Sequence, residues 1–296
     1  MALGTDHFTP TDLAEYIPEV WGTRVNDFYR PKLKFANFFT NRSDELAEGG
    51  DTLHTPNLSE MTANAKVNGS QVTLNSPTFT GVSLVVDQWF EVSFLIEDKE
   101  AAQVKKSLNT QERMMKNAAH TAAKKLETAI ATLFQSFSVS VGSTGVALTA
   151  AVVLQAISSL ESVDADYEEA AWLLHPKTYW VDLVTLDRFA LAINTADAAN
   201  PVMKTAPYMI HGRPVLTSTT VTKINTNADY AGALAVPDAV HWATSPLPGA
   251  RDQFGVRLQA SYIQEYLGTL VTADLLYGVI ENRDAGGIRI VSKVAA

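Results

Sequence analysis

The sequence contains no cysteine. Disulfides, thiolate metal sites and cysteine nucleophiles are therefore excluded. No stretch approaches the ~18 consecutive apolar residues of a membrane-spanning helix, so no membrane partner is expected. Met1-Ala2-Leu3-Gly4-Thr5-Asp6 shows no positive region followed by an apolar run, and the expectation is synthesis and assembly in the cytoplasm. Basic charge is scarce. Lys and Arg number 23 against 32 Asp and Glu, a net charge of -9. Dedicated nucleic-acid binders carry the opposite balance, so contact with DNA is expected to be weak and non-specific. There is no phosphate loop, no dinucleotide glycine fingerprint and no His-Glu-x-x-His pair. His7, His54, His120, His175, His211 and His241 are scattered, with no second ligand at a metal-binding interval. Asp164-Ala165-Asp166-Tyr167-Glu168 opens like a calcium loop. However, Glu169 stands where the loop needs glycine and His175 where it needs its closing glutamate, so a solvated turn is expected. No catalytic, cofactor-binding or metal-binding residue is expected.

What remains is a chain of 296 residues, 46% hydrophobic and 19% charged. That composition suits a globular protein with ample core, in one large domain or two intimately packed ones. Near the N-terminus Ile17, Val20, Trp21, Val25 and Phe28 fall on one helical face, which Pro31 ends. Phe35, Phe38 and Phe39 follow in irregular chain. Such a cluster needs burial, either in the chain's own core or against a neighbouring subunit.

Residues 46–96 read as extended. Glu48-Gly49-Gly50-Asp51 marks a turn, and Thr52-Leu53-His54-Thr55-Pro56 is a short strand. Residues 57–80 are polar, with Leu58, Met61, Val67, Val72, Leu74 and Phe79 the only larger apolar residues. The chain returns through Gly81–Val86 and then through Trp89–Ile96, where Phe90, Val92, Phe94 and Ile96 alternate with Glu91, Ser93 and Leu95. This predicts a long two-stranded hairpin with a solvated tip, and such a hairpin is only marginally stable without a partner surface.

Residues 97–137 carry the strongest helical signal, uninterrupted by proline or glycine. Leu108, Met115, Ala119, Ala122, Leu126, Ala129 and Leu133 form one apolar seam, and a long helix laid across a sheet fits this alanine-rich face. After the break at Gly142-Ser143-Thr144-Gly145, a helix is expected over Thr149–Val163, a buried strand over Ala171–His175 and a helix over Thr178–Leu186. Shorter strands are expected at Ile210–Leu216, Gly232–Val236, Gly255–Gln259, Thr269–Leu276 and Ile288–Val291. The fold class is α+β, with no βαβ repeat. Roughly the first third of the chain is spent on an arm and a hairpin that cannot bury their own surface, which points to an assembly protein.

The order of parts resembles the major capsid proteins of tailed phages, with the Hong Kong 97-type fold, over nearly the whole chain. Tyr16-Ile17-Pro18-Glu19-Val20-Trp21 is similar to the family's N-terminal arm, with Phe35-Ala36-Asn37 following. Gly50-Asp51-Thr52-Leu53-His54-Thr55-Pro56 is similar to the incoming strand of the extended loop, Val86-Asp87-Gln88-Trp89-Phe90-Glu91-Val92-Ser93-Phe94 to its return strand, and Ile96-Glu97-Asp98 to the lead into the spine helix. Leu173-Leu174-His175-Pro176-Lys177-Thr178-Tyr179 resembles the strand–proline–helix unit of the axial domain, and Gly212-Arg213-Pro214-Val215 the hairpin after it.

The resemblance implies an N-terminal arm over 1–45, an extended β-hairpin loop over 46–96, a long spine helix and first part of a peripheral domain over 97–145, an axial domain over 146–245 and the second part of the peripheral domain over 246–296. It implies an icosahedral virion shell enclosing double-stranded DNA, assembled from pentamers and hexamers of the chain. Intersubunit contacts would come from Ile17, Val20, Trp21, Phe28, Phe35 and Phe38 of the arm and from Leu58, Met61, Lys66, Val72 and Leu74 of the loop. Leu108, Met115, Ala122, Leu126 and Leu133 would pack the spine. Some relatives join a lysine and an asparagine across subunits, which draws notice to Lys66 and Asn282. Many relatives begin with a charged, helical scaffolding segment. Here the arm begins almost at Met1, so a separate scaffolding protein is expected, along with a portal and a decoration protein as further partners. An encapsulin-type nanocompartment shell shares the fold and would be told apart by an enzyme cargo. A soluble hydrolase would be monomeric.

Overall fold

An alanine-rich helical face decides where the core forms. A computed structural model describes residues 33–46, 50–99, 110–183, 209–245, 247 and 255–294. Within them, α1 spans Phe35–Phe38, α2 spans Thr110–Leu133 and α3 spans Ala150–Glu161. Helix α2 buries Ala118, Ala122, Ala123, Leu126, Ile130 and Ala131, and Phe134 and Phe137 continue the same core beyond its end. The small residues let the helix axis lie close to the sheet beneath it. The buried stripe is broader than the expected seam and rotated from it. Ala122 and Leu126 are buried, whereas Met115 and Leu133 lie half-buried at its margin because Ile130 and Ala131 occupy the centre. The helix ends at Leu133, not at Phe137, and Leu108 lies outside the described residues.

Two sheets carry the rest. In the first, β1 (Thr40–Asn41) runs parallel to β11 (Val240–Thr244), and β11 pairs antiparallel with β13 (Gly268–Glu281). Strand β13 also pairs antiparallel with β12 (Arg257–Ile263) and with β4 (Gln88–Glu97). Tyr277 pairs with both Thr244 and Gln88, so β4 lies on one side of β13 while β11 and β12 share the other. The second sheet has the order β5 (Ser140–Val141), β14 (Gly287–Lys293), β10 (Asp229–Ala235), β6 (Ala171–Leu174), β8 (Arg213–Thr217) and β7 (Met209–Ile210), with β9 (Lys223–Ile224) also on β10. Strand β10 is buried along its whole length. Its Gly232 is required there, since a Cβ would lie 2.8 Å from Leu174 and 2.9 Å from the Leu173 carbonyl. Helix α3 packs below, started by Thr149, whose Oγ1 accepts from the Val152 N–H at 3.4 Å.

Several expectations are corrected here. Residues 88–97 are not the return strand of the hairpin. Strand β2 (Thr52–Leu58) pairs instead with β3 (Phe79–Val85), and Gln88–Glu97 belongs to the first sheet. The C-terminal strands do not stay together, because β14 joins the second sheet. Residues 240–244, expected with the axial part, form β11 of the first. The helix expected over Thr178–Leu186 is a wide π-helical turn at Thr178–Leu183, and residues 184–186 lie outside the described residues.

Among the described residues the chain passes between the sheets three times, from α2 to β5, from β10 to β11 and from β13 to β14. The three passages lie side by side. The Val236 N–H donates to the Gly286 carbonyl at 3.0 Å and the Asn282 N–H to the Ala239 carbonyl at 2.9 Å. The Ser138 N–H donates to Asp284 Oδ1 at 2.7 Å. Phe137 lies so close to Gly287 that a Cβ there would fall 2.3 Å from its ring.

Candidate assembly surface

Among the described residues, the β2–β3 ribbon carries a long run of exposed apolar side chains. Its register runs from Thr52 opposite Val85 to Leu58 opposite Phe79. At its base Leu84 and Val86 are buried with Leu46 and Ala243, and Leu53, Leu276 and Ile280 pack around them. Gly278 of β13 makes this seating possible, because a Cβ there would lie 2.1 Å from the Val85 carbonyl oxygen. Burial ends at the base. Leu58, Met61, Val67, Val72, Leu74 and Phe79 are all exposed, Leu74 by 88%.

Polar bonds within the ribbon shape its tip. The Ser59 N–H donates to the Thr78 carbonyl at 3.1 Å, and the Thr78 N–H donates back to Ser59 Oγ at 2.9 Å. Asn64 Nδ2 donates to Asn75 Oδ1 at 3.0 Å. Lys66 Nζ donates to the Val67 carbonyl at 2.7 Å and also to the Ser70 carbonyl, so its amine is folded onto its own turn. Asn282 lies elsewhere, buried, with Nδ2 donating to the Asp238 carbonyl at 3.1 Å.

Phe35 is corrected from an intersubunit contact to a core residue. It is 0% exposed in the single chain and meets Phe134 edge-on at 5.3 Å, so it has no surface to offer a neighbour. Phe38 is half-buried and packs on Phe39 at 5.1 Å. Ile17, Val20, Trp21 and Phe28 lie outside the described residues. Glu127 holds the phenylalanine segment, and sequence reasoning missed it. Fully buried on α2, its carboxylate accepts from the backbone N–H groups of Lys34 at 2.8 Å, Phe35 at 2.9 Å and Ala36 at 3.1 Å. Trp242 Nε1 closes the other end, donating to the Ala36 carbonyl at 2.9 Å. The available signal was a carboxylate between Leu126 and Ile130, inside the apolar stripe.

Strand β12 and its turn form a second exposed area, with Leu258, Tyr262, Tyr266 and Leu267 all exposed. Its root is polar and buried. Arg257 Nε donates to Asp274 Oδ1 at 2.9 Å and Trp89 Nε1 donates to Asp274 Oδ2 at 3.3 Å, so three strands meet at one carboxylate. Desolvation pushes the Asp274 pKa up, but Arg257 and Trp89 outweigh it and leave the group below its ordinary value.

At the calcium-like segment, Asp166 Oδ1 accepts from the Glu168 N–H at 2.7 Å, and the Arg213 guanidinium lies 5.7 Å from the centre of the Tyr167 ring. Among the described residues no group of three or more histidine or acidic side chains could hold a metal ion. No described helix is long and apolar enough to cross a membrane. His175 stacks on Tyr230 at 3.9 Å. Burial first, then Lys177 and Lys223, lower its pKa to about 4.

No family model matches the chain, and no curated protein matches it by sequence. Solved structures do match. A chain of Mycobacterium phage Che8 is 18% identical with a TM-score of 0.74, over 93% of this chain and 97% of its own. A chain from the capsid of cyanophage P-SCSP1u is 14% identical, also with a TM-score of 0.74, over 99% and 97%. One from the capsid of a native GTA particle is 11% identical with a TM-score of 0.66, over 98% and 100%. Over nearly its full length the chain has the Hong Kong 97-type fold of tailed-phage capsid subunits.

Proposed function

We propose that this chain is the major capsid protein of a tailed bacteriophage, self-assembling into the icosahedral virion shell that encloses the double-stranded DNA genome. The β2–β3 ribbon carries the reading. Its apolar residues Leu58, Leu74 and Phe79 are exposed in the single chain, on a fold shared with capsid chains. Its burial of apolar area is too small to offset ~1–2 kcal/mol of backbone entropy per ordered residue, so a neighbouring copy must supply the rest. In this reading residues 1–45 are the arm, the ribbon is the extended loop, α2 with the first sheet is the peripheral domain and the second sheet with α3 is the axial domain. Pentamers and hexamers form by heterologous, ring-closing contacts. A separate scaffolding protein, a portal and a decoration protein complete the partners, and assembly takes place in the host cytoplasm. The role is structural, without catalysis. The net charge of -9 leaves DNA held by confinement and weak contact.

Replacing Asn57–Pro77 with a short Gly-Ser turn tests the reading. The ribbon base stays intact, so a folded, soluble subunit with a nearly unchanged melting temperature is expected. Sedimentation and electron microscopy should show closed shells for the wild type and none, or fragile ones, for the deletion. Normal shells from the deletion would overturn the assignment of the ribbon.

A further inference from the structure

Strand β12 ends the first sheet on one side, and its outer edge takes no strand among the described residues. Every residue from Leu258 to Tyr262 is exposed, on both faces of the strand. Free edges in stable proteins are normally protected by charge, proline or a bulge. Strand β4, the edge on the opposite side of β13, carries Glu91 and Glu97. Between Leu258 and Tyr262 there is no charge and no proline, and the pairing with β13 runs without a bulge from Arg257–Asp274 to Ile263–Gly268.

The apolar and polar pattern is symmetric about Ala260, although the residues themselves differ. Leu258 and Tyr262 flank it at two residues, and Gln259 and Ser261 at one. Two copies laid antiparallel with Ala260 opposite Ala260 would therefore place Leu258 against Tyr262 twice on one face. Gln259 would meet Ser261 twice on the other. The first is an apolar cross-strand pair and the second a hydrogen-bonding one. Residues 258, 260 and 262 lie beside Ala273, Val271 and Thr269 of β13. Ala273 and Val271 are 0% exposed, so the covered face of the sheet runs on into β12 and there loses its cover.

The geometry points to β12 as a two-fold self-association strand, pairing with β12 of a second copy of this chain to make one continuous sheet across the dyad. This rests on the capsid reading only in supplying many copies, since the pairing itself is a property of two subunits.

The absence of cysteine makes the register directly testable. Residues facing each other in antiparallel strands have Cα atoms ~4.5–5.5 Å apart, within the range a disulfide spans. Ala260→Cys places the chain's sole thiol against its own copy. Assembled particles, and concentrated subunits of the full chain, should give a band at twice the subunit mass on a non-reducing gel after treatment with a mild thiol oxidant. Gln259→Cys and Ser261→Cys should each stay monomeric alone and cross-link when mixed in equal amounts before assembly. Ala260→Lys should remain folded, as judged by circular dichroism and melting, and should lose pairing through like charges on the dyad. Monomeric Ala260→Cys in intact shells would overturn the pairing and leave the capsid reading standing. Cross-linking of Gln259→Cys alone as efficient as that of Ala260→Cys would overturn the register. A cross-linked dimer from a protein that never forms shells would support the pairing and overturn the capsid reading.

Discussion

Glu127 and Phe35, 92 residues apart in sequence, are joined by hydrogen bonds from one backbone N–H to both carboxylate oxygens, at 2.9 and 3.1 Å. The same carboxylate serves Lys34 and Ala36, so one side chain satisfies three amides at the start of α1 and fixes the segment onto α2. Glu127→Ala would leave those amides without an acceptor. A loss of about 3 kcal/mol is expected, measured by urea unfolding of the soluble subunit. Glu127→Gln keeps one acceptor oxygen and should fall between the two.

The ribbon base should be equally sensitive to a single methyl group. Gly278→Ala would set a Cβ against the Val85 carbonyl, which is backbone and can move only if β3 lifts from β13. Overpacking of this kind costs about 1–3 kcal/mol. Hydrogen exchange at Leu84 and Val86 should accelerate in the variant, while protection in β10 stays unchanged.

His175 makes stability depend on pH. Its pKa is about 4 in the folded chain, below the ordinary histidine value near 6.5. The unfolded chain therefore binds a proton first as pH falls. The contribution is fully present above about pH 6.5 and is lost progressively towards pH 4. His175→Phe keeps a ring against Tyr230 and cannot titrate. Its unfolding midpoint in urea should change less between pH 7 and pH 4.5 than that of the wild type.

Asp274 joins three strands through Arg257 and Trp89, and its side chain is only 4% exposed. Asp274→Asn would leave the Arg257 guanidinium without its counter-charge in a largely buried setting. A lowered midpoint is expected in chemical unfolding. Arg257→Met should cost at least as much, because it strands the Asp274 carboxylate, the more buried partner, without its counter-charge.

Elements set by local pattern were legible from the sequence. Thr149 and the apolar spacing behind it located α3 to within a residue at its start. The polar stretch over 57–80 with its flanking strands gave the ribbon tip. Pairings between distant segments were not legible. Alternation in Trp89–Ile96 identifies a half-buried strand, but nothing local says that Gln88 lies opposite Tyr277 rather than on β2. The same gap placed β14 with the wrong sheet. The three phenylalanines announced a need for burial, and only the position of Phe134 and Glu127 showed where it is met. The spine seam was misjudged because alanine at 119 and 129 looks alike whether it faces the sheet or its margin.

The three neighbouring passages between the sheets bear on how firmly the two sheets are joined. Bonds at Val236–Gly286, Asn282–Ala239 and Ser138–Asp284 gather every described passage into a single seam. The sheets also share one core, in which Leu173, Ala233 and Ala235 of the second sheet are buried with Trp242, Ala273 and Leu275 of the first, so they are held to each other at the seam and across that core.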